Sequence, residues 1–195
     1  MSSIVLSGDT SGQVSLTVPA IAGSNTVTIP AGTGTAAVQG VSTNIVSGTA
    51  VASTSGTAIL FTGIPSWAKR ITLMFQGVAT SGTSNLRIQV GSGSVTNSGY
   101  VGSYFQSLSS APNTAAFTAA FELISDASVG KNGALRINLQ TGNTWVAEGS
   151  FGCSTGRTMF LGGSIALSGS LDRINVTAAN GTDTFNAGSI NILYE

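Results

Sequence analysis

The sequence predicts an all-β protein: an antiparallel β-sandwich of jelly-roll kind preceded by an extended N-terminal arm with short strands. Three observations lead there. Apolar residues recur with a period of two in short runs, turn-forming Gly, Asn and Ser separate the runs, and almost no stretch carries helical periodicity.

The arm is read over residues 1–56. It contains no aromatic residue, and Asp9 is its only charge. Its β-favouring runs, Gln13 to Val18 and Asn25 to Ile29, close on Pro19 and Pro30 and are spaced by Gly/Ser turns. Side chains this small offset poorly an ordering cost of roughly 1–2 kcal/mol per residue. An arm that exchanges strands with neighbouring copies, or docks on a larger assembly, meets that need.

The β domain is read over residues 57–195. In Arg70 to Gln76, Ile71, Leu73 and Phe75 share one face while Arg70, Thr72 and Gln76 take the other. The alternation returns in Leu86 to Val90, Leu135 to Leu139, Leu171 to Val176 and Ile190 to Tyr194, and several of these runs place an arginine opposite the core. Ser81-Gly82, Asn132-Gly133, Thr141-Gly142-Asn143 and Asn180-Gly181 supply turns. Thr114 to Ile124, rich in Ala but holding Phe117 and Phe121, fits a strand pair or a short helix. The pattern leaves residues 91–130 otherwise unassigned.

Composition narrows the function. The 195 residues include no histidine, one cysteine, seven basic and seven acidic side chains, so charged residues reach only 7% against the usual ~25%. General acid-base, nucleophilic and metal chemistry draw on the missing types, so the expectation is a protein that is not an enzyme and uses no cofactor or metal. Zero net charge and a single adjacent basic pair, Lys69-Arg70, argue against nucleic acid as a partner. Gly, Ser and Thr interrupt every apolar run before the ~20 residues of a spanning helix, and aromatics are too sparse for barrel girdles. The first thirty residues lack a signal-peptide pattern, and Cys153 has no intrachain partner; both fit synthesis in a cytoplasm.

Several patterns invite chemistry. Gly152-Cys153-Ser154-Thr155-Gly156 matches G-x-S-x-G, but that mechanism needs a histidine, so a turn is expected. Gly32 to Ala37 matches G-x-G-x-x-A, yet no acid follows until Glu122. Glu122, Asp126, Glu148, Asp172 and Asp183 could furnish a glycosidase pair, but their places near turns and basic residues favour ion pairing. Asn180, Asp183 and Asn186 could offer oxygens to calcium, or form an Asx turn. For glycan contact the residues read as candidates are Tyr100 and Tyr104, in a Gly/Ser-rich stretch, and Trp145, which follows a turn.

Three stretches carry a family likeness: Ser7 to Gly12 with the strands ending at Pro19 and Pro30 and the Gly32 to Ala36 tail; Phe61-Thr62-Gly63-Ile64-Pro65-Ser66-Trp67-Ala68-Lys69-Arg70-Ile71-Thr72; and the closing Asn180 to Glu195. The first resembles a segment of tailed-bacteriophage virion proteins, often tail fibres, and the other two resemble a β domain at the ends of such proteins. The likeness spans both ends and the start of the β domain, not residues 91–157, and assigns no functional residue. It implies a virion structural protein made in the host cytoplasm. The expected form is a homotrimeric small tail fibre that contacts other virion proteins and a host-surface glycan. The alternative is a capsid decoration, cement or head-fibre protein without receptor binding.

Overall fold

Alternating buried and exposed side chains run through the long strands of the computed structural model, which describes residues 3–7, 13–17, 45–108 and 111–195. Contacts divide the chain into two units, Met1–Val38 and Gln39–Glu195. In the first, β1 (Ser3–Ser7) and β2 (Gln13–Thr17) form an antiparallel hairpin, Ser3 opposite Thr17 and Ser7 opposite Gln13. The run Asn25 to Ile29 and the G-x-G-x-x-A match lie outside the described residues.

The second unit is all β among its described residues. Its strands are β3 (Val46–Ser47), β4 (Val51–Ala52), β5 (Ala58–Thr62), β6 (Arg70–Thr80), β7 (Leu86–Ser92), β8 (Ser94–Val95), β9 (Val101–Gln106) and β10 (Asn113–Phe117). There follow β11 (Phe121–Leu123), β12 (Lys131–Thr141), β13 (Thr144–Cys153), β14 (Thr158–Ala166), β15 (Arg173–Ala178) and β16 (Phe185–Tyr194). A nine-stranded sheet has the order β10-β9-β14-β13-β12-β6-β16-β3, with β4 also on β16; a five-stranded sheet has the order β11-β7-β15-β5, with β8 on β7.

That order is a jelly roll. In chain order its strands are β5, β6, β7, β9, β10, β11, β12 and β15; the smaller sheet holds the first, eighth, third and sixth, the larger the second, seventh, fourth and fifth. The β13–β14 hairpin is inserted between the seventh and fourth strands, and β16 extends the larger sheet beyond β6. The stretch Thr114 to Ile124 supplies two strands, in different sheets.

Inward positions of both sheets make one core. Ile71, Leu73 and Phe75 of β6, Leu135 and Ile137 of β12 and Trp145, Ala147 and Phe151 of β13 face Ile88 and Val90 of β7 and Ile174 and Val176 of β15. Phe117 ends β10 and sets its ring edge-on to Phe121 of β11, centroids 5.9 Å apart, joining the two layers. Tyr100 is edge-on to the same ring at 5.1 Å. Room for Phe117 comes from Gly102 and Gly163, opposite each other on β9 and β14: a Cβ on either would lie within 3 Å of the Phe117 ring.

Residues 46–56 share the composition of the arm, but they follow the sandwich. β3 and β4 pair with β16, and the backbone bonds Ser53 N to Gly188 O and Phe185 N to Gly56 O extend the attachment. The contact boundary therefore falls at 38/39, ahead of the composition break at 56/57. A small-residue edge strand looks like arm sequence, because one partner and the backbone ladder are enough to hold it.

Candidate functional site

The structure places the three aromatic candidates differently. Tyr100 is 1% exposed, and its hydroxyl accepts from Val90 N at 2.8 Å and donates to Thr96 O at 3.0 Å. Gly99, at φ +82°, makes the turn that sends this ring inward, so the Gly/Ser stretch is a corner and offers no displayed ring. Trp145 is 3% exposed, opposite Leu139 and Ile165, and its Nε1 is buried without a partner among the described residues. Sugar stacking needs an open ring face, which neither provides. Tyr104 is half-buried and packs against the core opposite Leu161.

Four of the five candidate acids are firmly engaged, and Glu148 is only loosely paired. Glu122 accepts from Arg87 at 2.8 Å, Asp126 pairs with Arg157, Asp172 with Arg173 at 2.8 Å, and Glu148 stands 3.9 Å from Arg136. The Arg173 hydrogen bond holds the Asp172 carboxyl below its usual range. Asp183 accepts from Asn180 Nδ2 at 2.8 Å and from Ser84 N at 3.1 Å, while Asn180 Oδ1 accepts from Thr182 N and Asp183 N at 3.0 Å each. These bonds make an Asx turn that engages the Asn180 and Asp183 oxygens, while Asn186 Nδ2 donates to Ser128 Oγ at 3.2 Å.

The G-x-S-x-G stretch is the β13–β14 turn. Gly156 N donates to Cys153 O, Cys153 N to Arg157 O, and the Ser154 hydroxyl accepts from Gly130 N at 3.1 Å. Burial pushes the Cys153 thiol up, away from reactivity. Opposite it Lys131, 1% exposed, donates to Ser125 Oγ at 3.0 Å and Val129 O at 3.2 Å; Ser125 lies 2.9 Å from Thr80 Oγ1. Burial lowers the Lys131 pKa, with Cys153 and Asp126 opposing the shift. This chain of bonds ties the segment before β12 to β6 and faces the interior.

The outer face of the larger sheet is different in kind. Cross-strand register sets a row Thr114, Phe105, Phe160, Ser150, Ala134, and beside it a row Ala116, Ser103, Gly162, Glu148, Arg136. Phe105 and Phe160 are neighbours, centroids 6.4 Å apart, and Phe160 is 49% exposed. Val101 and Val146 are exposed on the same side of this sheet. Between Phe160 and β12 lies an open cleft of about 400 Å³, lined by Ala134, Arg136, Glu148, Ser150, Phe160 and the strand backbone at Gly149 and Leu161. Its polar groups are a donor-only guanidinium, an acceptor-only carboxylate and a hydroxyl that is both. Sequence reading missed Phe105 and Phe160; the signal was the alternation Val101, Ser103, Phe105 against Gly102, Tyr104, Gln106, whose inward glycine masks the period.

No protein-family description, curated protein or solved structure matches the chain.

Proposed function

We propose that the protein is a structural component of a tailed-phage virion, a small homotrimeric tail fibre. In this reading the N-terminal residues attach or assemble the fibre and the sandwich contributes to contact with the host surface. The observation that carries the reading is the outward face of the larger sheet, where Phe105 and Phe160 lie side by side and Val101 and Val146 stand exposed beyond the Ser103, Gly162, Glu148 row; large apolar side chains left in water on one face mark contact with another molecule. The likeness of both chain ends to phage virion proteins and the engagement of the candidate acids in ion pairs and turns support it. Antibody labelling of particles should place the protein on the tail, and purified chain should bind host cells as a trimer in light scattering. A stable monomer with no cell binding defeats the proposal.

Capsid decoration is favoured by one feature, the absence of any charge from Ile88 to Phe121, a span that includes edge strand β10. Edges exposed to solvent are usually guarded by charge, so an unguarded one suits a permanent subunit contact. Label on the head, with no adsorption to cells, selects this reading.

A further inference from the structure

We propose that the cleft beside Phe160 is a binding site for a neutral saccharide, with the ring under a C–H face of the sugar and Arg136 and Glu148 on its hydroxyls. The inference deepens the attachment reading and rests on it for what the site would serve. Its chemistry comes from the side chains.

An exposed aromatic ring standing beside polar groups suits a ligand with one apolar face and a hydroxylated rim. Phe160 has that setting: Phe105 backs it on one side, and the cleft opens on the other. The ion pair fits the same ligand. Arg136 and Glu148 are 61% and 68% exposed and 3.9 Å apart, a geometry that contributes little to stability and leaves both groups free to turn to a ligand. A sugar hydroxyl can accept from the guanidinium while a neighbouring one donates to the carboxylate. An anion would gain Arg136 but face Glu148, and a cation the reverse, so the site selects an uncharged polyol.

A neighbouring position on β14 adds a third observation. Gly162 lies opposite Glu148, with ordinary φ, and a Cβ there would meet nothing nearer than Ala147 O at 4.0 Å. Neither backbone nor packing requires glycine at this position. Its bareness leaves the outward space on β14 next to Glu148 open, and a side chain placed there would crowd the approach to Glu148 and Phe160 without disturbing the fold.

The test is an amide-shift NMR titration of the full chain with cellohexaose, maltohexaose, laminarihexaose and oligogalacturonate. At least one neutral hexamer should shift the amides of Ser150, Phe160 and Leu161. Phe160→Ala should weaken binding about tenfold, the scale of one lost aromatic contact. Gly162→Val, which crowds the approach, should weaken it while the remaining spectrum stays native, and Glu148→Gln should weaken it. Shifts with oligogalacturonate alone, no shifts with any neutral hexamer, or binding indifferent to Gly162→Val would overturn the proposal. Host-cell adsorption separates it from the broader reading. If cells adsorb wild type and Gly162→Val equally and no hexamer binds, the cleft proposal fails and attachment stands. If the cleft binds a hexamer but no cells adsorb, attachment fails and the site stands.

Discussion

Removing one hydroxyl from the corner before β9 should cost the fold measurably and change how it responds to alkali. In Tyr100→Phe the ring stays against Phe121, but Val90 N, buried on β7, loses its acceptor at 2.8 Å, and Thr96 O loses its donor. Leaving a buried donor unsatisfied costs about 1–3 kcal/mol, so urea unfolding of the full chain at pH 7 should show about 2 kcal/mol less stability. Burial also pushes the wild-type phenol from 10.0 to about 12, with the Val90 bond opposing the shift. Between those values the unfolded tyrosine has lost its proton and the folded one keeps it. The stabilisation is complete below pH 10 and is lost as pH rises towards 12, a total of roughly 3 kcal/mol at 1.36 per unit. The variant has no phenol there and should lack this part of the alkaline decline. Equal stabilities at pH 7, or parallel declines from pH 10 to 12, would refute the account of Tyr100 as the buried tie between the sheets.

Gly163→Val should destabilise by about 1–3 kcal/mol or more in urea, because its Cβ would sit 2.7 Å from Val101 O and 2.9 Å from the Phe117 ring. Gly162→Val, one residue away but outward, should stay within about 0.5 kcal/mol of wild type; equal costs would show that the glycine slot is misplaced. For Lys131, a folded pKa below 10.5 means that the unfolded chain binds more protons over the window between the two values, so stability rises with pH there. Lys131→Met should flatten that rise while remaining at least as stable at pH 7, since a buried charge is often replaced by an apolar side chain without loss; an unchanged slope by pH-dependent denaturation contradicts this. Asn180→Ala should cost about 1–2 kcal/mol through the lost Asx bonds, and added calcium should leave the wild-type melting temperature unmoved. A calcium-dependent rise in the melting temperature would reinstate a metal site.

What could be read in advance followed side-chain size. β6, β7, β15 and the end of β16 carry Leu, Ile, Val or Phe inward and polar residues outward, so their period of two is plain. β9, β13 and β14 obey the same period, but Gly102, Gly149 and Gly163 take inward positions while Val101, Phe105, Val146 and Phe160 point out. The glycines are inward because rings fill their places: Phe117 of β10 for two of them, and Phe151, two residues along the same strand, for Gly149. A ring lent by another strand, as Phe117 is to Gly102 and Gly163, leaves no local trace. The candidate site suffered the same inversion, since the aromatics in suggestive Gly/Ser surroundings were core and those inside ordinary strands were surface. The ion pairing of the acids was better legible, because it needed only an arginine on a neighbouring strand or an Asn in a turn.

The two outer faces of the sandwich allow a stronger inference than any one residue. On the smaller sheet, outward positions pair within the face: Arg87 with Glu122, and Asn175 Nδ2 to Gln89 Oε1 at 3.2 Å, with Leu60 the apolar exception. Such a face is satisfied as it stands, and covering it would desolvate polar groups already partnered. On the larger sheet, β9 and β14 place rings, valine, serine and glycine outward, and the nearest charges are a loose pair at 3.9 Å. Covering this face removes apolar area from water at about 25 cal/mol per Å² and strips little hydration from well-paired groups. The balance of those two costs makes the larger sheet the one suited to contact, whether a sugar or another protein occupies it. A fold with charge to spare could hide such a face behind lysine and glutamate; this chain, with seven of each sign, spends most of its charge on pairs elsewhere.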